Sequence, residues 1–414
     1  QLNIRGAARN SSRLLCKSTT SAGIIFTPTS DAGCSLENFS LLQATSGVKT
    51  SGGGIHIKGC KQLSVRDVTI GSLVGTTEWF GYGLRVENSP ESGFYQLRVF
   101  GQNQGTLTNC VEIISDDGTN SVSQEFVGLI AYNAAGSGVY IRTSQSPGVE
   151  GVRFTGGEIV YCQVGVRATC NDPTYRPPLI SLVGTHINAR QFCLSVNNYQ
   201  QIKVAACTWY LEQGGDSFVY CEDRITGLHV GYGTTLHANS TEAVSGIRTA
   251  GSLDVLDLDG VYIQAASGSW LCNFGATANY VKMMHNSVNF GWESHRDIYI
   301  GGSWPTRLVF KDNYPLTPQD VQTDVSISGT SIDVSQRRSA VVRVTGTTAA
   351  SVISTITGGL TGQEVEIKSD VAGVTLQHSA NIILKGATNY VFATGSKIRL
   401  RKGAGTAWEE MWRQ

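Results

Sequence analysis

The sequence predicts an all-β protein: a right-handed parallel β-helix followed by a small C-terminal antiparallel β-sandwich. Three observations lead there. First, one short strand pattern returns along the chain, as GGGIHI at Ile55, GYGLRV at Leu84, NCVEII at Val111, GSGVYI at Val139 and VGVRA at Val166. It continues as FCLSV at Leu194, SFVYC at Val219, SGIRT at Ile247, WLCNF at Leu271 and RDIYI at Ile298, with steps of 24 to 29 residues. A period held this closely marks a repeat architecture. Second, apolar residues alternate over four to six positions, the period of a strand and not of a helix. Third, glycine, 48 of 414 residues, sits at the strand junctions. Three short strands per turn, each stacked ~4.8 Å above its counterpart, satisfy all three.

The stretch from Gly136 to Cys162 shows one turn. Val139 and Ile141 make the first strand, Ser146-Pro147-Gly148 turns the chain, Val152 and Phe154 make the second, and Ile159 to Tyr161 the third. Residues 1–44 hold earlier coil pieces, with Ile24-Ile25-Phe26 one period before Ile55 and Leu36 to Phe39 resembling a second strand. Two polar excursions, Ser115 to Gln124 and Cys170 to Pro178, lengthen the loops in mid-chain, where repeat proteins place working surfaces. The solenoid is predicted over 1–312. Pro315 and Pro318 argue against a further stacked strand, so 313–335 reads as a linker. From 336 to 414, short alternating strands such as VVRVTG, EVEIKSD and SKIRLRKGA, about ten residues apart, read as the sandwich, serving trimerisation or carbohydrate binding.

Composition narrows the function classes. The chain has 32 basic and 32 acidic residues, and only 15% of residues are charged. No basic excess marks a nucleic-acid partner, and no apolar run reaches the length of a membrane span. The ten cysteines are scattered, without CxxC or zinc spacing, and read as reduced residues packed inside the coils. That suits assembly in a reducing cytoplasm. No metal or cofactor is expected. The chain starts at Gln1, already in coil pattern, and reads as a piece from which an N-terminal part is absent.

The order of parts resembles the tailspike proteins of tailed bacteriophages, over nearly the whole chain. The opening Ile4-Arg5-Gly6-Ala7 is similar to the first coil of the pectate-lyase-like fold of that family. The ending is similar to a tailspike C-terminal module, with Ile356 to Gly359, Gly362-Gln363, Asn381 to Leu384, and Trp408-Glu409. The family's virion-attachment domain has no counterpart here. The resemblance implies a homotrimer on the virion tail that binds host capsule or O-antigen polysaccharide, with no nucleic-acid partner and no membrane insertion. It also implies cleavage of that polymer, commonly by hydrolysis through paired carboxylates and less often by lyase chemistry. A non-cleaving receptor-binding spike and a pectinase-type β-helix enzyme are the alternatives. The pectinase reading is weakened by the C-terminal unit and by the lack of a close Asp cluster in a pectinase-like motif.

Candidate residues are read as columns, because equivalent positions of successive coils stack. If Ile159, Ile187 and Leu211 point inward, Glu158, His186 and Tyr210 point outward in one column, with Asn188 and Glu212 beside it. Inverting glycoside hydrolysis needs two carboxyls about 6.5–9.5 Å apart, and two rungs are ~9.6 Å. Glu212 and Glu158 are therefore the expected acid and base, with Asp216 in reserve. Trp209, Tyr210, His186, Asn188 and Tyr161 are the expected sugar contacts, since aromatic faces pack against sugar C–H faces. Asp254, Asp257 and Asp259 alternate on one strand and would repel unless a cation or an arginine met them. Arg142, Arg153 and Arg167 on neighbouring coils leave a lyase base open.

Overall fold

The computed structural model describes the chain from Leu2 to Gln414 apart from residues 19, 29–32, 46, 49–51, 74–77, 102–108, 119–120, 213, 240–241, 267–268, 290–295, 301–306, 312–313, 316–321, 335–340, 346–347, 349 and 360–362. It is an all-β chain whose first three-quarters form a parallel solenoid of about 12 turns. In one turn, Ser137–Thr143 lies in a first sheet and Val152–Thr155 in a second. Glu158–Cys170 then begins in a third sheet and bends into the first sheet of the next coil. Ladders between coils are parallel throughout, as in Val111↔Val139↔Val166↔Leu194. In the first sheet the sequence alignment of coils slips at one place. Ile247 stands opposite Cys272, not Leu271.

The coil keeps its shape through its corners. Between second and third strands, one residue takes a left-handed conformation: Asn38, Asp67 and Gln96, then Gly128, Gly156 and Gly184, then Ala206, Gly233, Gly260 and His285. Glycine occupies such a position without strain, and Asn or Asp at modest cost. A second glycine column lies where the first strand begins. A Cβ on Gly83 would sit 2.5 Å from the Cys110 carbonyl oxygen one coil on, and a Cβ on Gly165 2.5 Å from that of Cys193. There the backbones approach too closely for a side chain.

Inward positions form columns of like residues. Phe94, Phe126 and Phe154 are register partners and stack at 4.3 and 5.0 Å between ring centroids. All ten cysteines are free and buried, filling small interior positions. The Cys170 to Pro178 excursion is tied down by the Tyr175 hydroxyl, which donates to Glu150, and by Arg176, which donates to Thr226 at 2.8 Å.

The solenoid extends further than expected, since Tyr314–Pro315 pairs with Ser287–Asn289 as a last rung. The 322–334 part of the expected linker belongs to the second unit, where Val325, Ile332 and Val334 are buried. That unit has its own core, closed by Trp408. Its sheets are mixed. The strands from Gln322–Ser326 through Val341–Thr345 to Glu364–Ser369 pair in parallel, and only Lys397–Lys402 and Trp408–Arg413 add antiparallel ladders to that sheet. Of the Gly362-Gln363 turn, Gly362 lies outside the described residues.

Phe126 is fully buried between two rings, so Phe126→Ala removes contacts on both faces and leaves a cavity. Denaturant unfolding should show a loss of about 3–5 kcal/mol.

Candidate functional site

The third sheet holds most of the residues expected to act. Glu158 stands opposite His186, His186 opposite Thr208, and Asn188 opposite Tyr210. The inward partner of Ile187 is Trp209, not Leu211. This two-residue difference from the sequence alignment has two consequences. Trp209 is fully buried in the core, so it neither stacks on a ligand nor meets a neighbouring subunit. Glu212 lies beyond the strand end, opposite Arg190, with its N–H donating to the Ala189 carbonyl at 2.9 Å. It is therefore four positions along the strand from the Glu158 column and two rungs up. That places the two Cα atoms roughly 16 Å apart, well beyond the two rungs of ~9.6 Å expected from the sequence. Asp216 is a third case. It is ion-paired to Arg248, whose guanidinium lies 5.5 Å from the Tyr220 ring on the first sheet.

What the third sheet does assemble is a track of rings. His186 and Tyr210 are 5.5 Å apart, Tyr210 and His237 stack at 5.1 Å and 17°, and Tyr262 follows His237 at 5.6 Å. Towards the N-terminus, Phe100 meets Tyr132 at 6.1 Å, and Tyr161 stands edge-on to Tyr132 at 5.3 Å. Phe100, Tyr161 and Tyr210 are exposed. Tyr161 has φ +57°, a conformation costly for a bulky residue, and Arg190 holds its carbonyl at 3.0 Å. Asn188 is half-buried between Val160 and Tyr210, and its Oδ1 has no partner. Glu158 is exposed beside His186. Phe100, Tyr132, His237 and Tyr262 went unrecognised in the sequence. Their signal was present, because Tyr210, His237 and Gln264 occupy equivalent positions, but it needed the correct register.

Carboxylates elsewhere are mostly neutralised by the next coil. Asp254 meets Arg224 at 3.2 Å, Lys282 lies 3.0 Å from Asp257 and 3.9 Å from Asp259, and His285 is 2.9 Å from Asp259. The expected repulsion is thus answered by side chains. Arg142 is paired with Asp116, and Arg167 lies 3.6 Å from Glu222. Among the described residues no group of three His, Cys, Asp or Glu is placed to hold a metal ion.

The exception is a furrow on the second sheet. Its floor is the column Asn3, Ser35, Ser64 and Gly93, and Glu125 stands at its end. Two adjoining depressions of about 230 and 400 Å³ follow this floor. Tyr95 folds across Gly93, where a Cβ would sit 2.8 Å from the ring, and its hydroxyl donates to Glu125 at 3.3 Å. Glu91, at φ +53°, lines both depressions. It is diagonal to Glu125 across one rung, which puts their Cα atoms about 8 Å apart. Both carboxyls are exposed. Sequence reading passed over them because Glu91 precedes its strand and looks like a turn residue.

No family model, curated protein or solved structure matches the chain.

Two first-sheet carboxylates set an acid limit on stability. Partial burial pushes the Glu87 pKa up, but hydrogen bonds from Lys58 (2.5 Å) and His56 (3.0 Å) outweigh it and hold the group below its usual value. Asp116 is likewise lowered, burial being outweighed by Arg142 and by Ser144 at 2.5 Å. A depressed folded pKa gives stability that is complete above the unfolded value and lost as pH falls through the folded one. Thermal melts should therefore hold steady down to about pH 4–5 and drop below that. Glu87→Gln together with Asp116→Asn should flatten the drop; an unchanged acid slope would show that other groups control it.

Proposed function

We propose that this protein is a tailspike-type spike that binds a bacterial surface polysaccharide along its third sheet. The observation that carries this reading is the ring track from Phe100 to Tyr262, half-buried to exposed, which crosses coils at the rung spacing. Rings at successive rungs offer flat faces to the C–H faces of successive sugars, and Glu158, His186 and Asn188 offer hydrogen-bonding groups among them. The solenoid with a separate C-terminal unit supports the tailspike resemblance, and with it a homotrimer displayed on a virion tail. Light scattering on the purified chain should then give about three times the 44.3 kDa chain mass.

A second reading adds cleavage, and its support is the furrow. Glu91 and Glu125 are two exposed carboxyls diagonal to each other across one rung, so a glycosidic bond lying between them would have an acid on each side. One would protonate the leaving oxygen while the other activates water.

Binding is tested with a panel of purified capsular and O-antigen polysaccharides. Tyr210→Ala should weaken binding roughly tenfold, about 1.4 kcal/mol for one ring, with the melting temperature nearly unchanged. Trp209→Ala should instead lower stability by about 3–5 kcal/mol, since that side chain is core. Full affinity in Tyr210→Ala would remove the ring track from the binding surface. For cleavage, new reducing ends should appear in a bound polymer. Glu91→Gln or Glu125→Gln should cut their rate a hundredfold or more. If polymer is bound but no ends form with the unaltered chain, the spike is an adhesin only.

A further inference from the structure

Across the second sheet, cations are generally answered by neighbours. Lys282 lies between Asp257 and Asp259, Arg224 meets Asp254, and Arg66 lies 5.1 Å from the Tyr95 ring. Two cations differ. Arg153 and Lys203 are exposed and have no carboxylate within ion-pair distance among the described residues. They are one column, Arg153↔Ser181↔Lys203, continuing directly from Glu125 at the end of the furrow. Each Cα stands about 4.8 Å from that of Ser181, one on either side. A guanidinium fork, a hydroxyl and an ammonium therefore flank one spot, and Arg153 also lines the depression that holds Glu91 and Glu125. One rung beyond Lys203 the cationic character ends, because His229 is 3.1 Å from Gln201 and 3.8 Å from Asp257.

We infer that the second-sheet furrow binds an acidic heteropolysaccharide, with a sugar carboxylate held by Arg153, Ser181 and Lys203 and a neutral sugar between Glu91 and Glu125. Charge decides the ligand class. An exposed Arg–Ser–Lys column without internal anions favours a bound carboxylate, and an arginine fork meets it in a bidentate manner. The two glutamates one and two coils away disfavour a chain charged on every unit, such as a polyphosphate or a nucleic acid. They accept hydrogen bonds from sugar hydroxyls instead, so the repeat that fits has acidic and neutral units within a few rungs. This surface is separate from the ring track, and the inference rests on the proposed function only in taking the ligand to be a polysaccharide.

The test uses the whole chain and the same polysaccharide panel, each polymer offered native and carboxyl-reduced. Every polymer bound in native form should carry acidic residues. Carboxyl reduction should weaken binding tenfold or more at low ionic strength, and Arg153→Ala with Lys203→Ala should weaken it equally while abolishing the salt dependence. Carboxyl-reduced polymer should bind that double variant and the unaltered chain alike. Binding of a neutral polymer, undiminished in the double variant but lost in Tyr210→Ala, would overturn this inference and leave the ring-track reading intact. No binding to any polymer would overturn both. A polymer charged on every unit that binds more tightly than mixed ones would also overturn the inference.

Discussion

Everything in the solenoid depends on one constraint: each coil must offer its backbone to the next in parallel register. Once Val111, Val139, Val166 and Leu194 are held in one ladder, each residue finds its counterpart one rung above. Like side chains then meet like. Inside, this makes the Phe94–Phe126–Phe154 stack and lets buried cysteines fill small gaps. Outside, it turns a scattered set of rings and charges into columns. A surface on the solenoid is built by repeating a position.

The same constraint explains why few outer charges are left over. An acid and a base at equivalent positions of adjacent coils are brought within reach, as Asp257 and Lys282 are. A charge on the solenoid face is normally matched by the coil next to it. Among the described residues, Glu125 and Arg153 stand opposite each other on adjacent coils without forming an ion pair, and Glu91 and Lys203 form none either, so these groups remain open on the surface. The corners cooperate. A left-handed residue at the bends between second and third strands fixes where one sheet ends and the next begins, so furrow and ring track stay on different faces. Tyr161 and Glu91 occupy left-handed positions that a smaller residue would hold at lower cost, and each projects onto one of those faces.

Much was legible in the chain. Period, alternation and corner glycines determine the all-β solenoid and the separate C-terminal unit, because each is a local pattern that backbone sterics and burial enforce coil by coil. The aromatic character of the third sheet could also be seen, in Tyr161, His186 and Tyr210. What the sequence by itself could not decide was register and facing. Alternation is ambiguous where Trp209 and Leu211 are both apolar and both point inward, and a shift of two residues moves Tyr210 out of the Glu158 column and Glu212 from two positions beyond it to four. The pairing of Asp216 with Arg248, and ladders of the C-terminal unit such as Val341 with Glu366, rest on contacts between residues far apart in the sequence. Only the stacked coils decide which carboxyls meet a cation and which stand open. That is a matter of distance between rungs, and no single coil contains it.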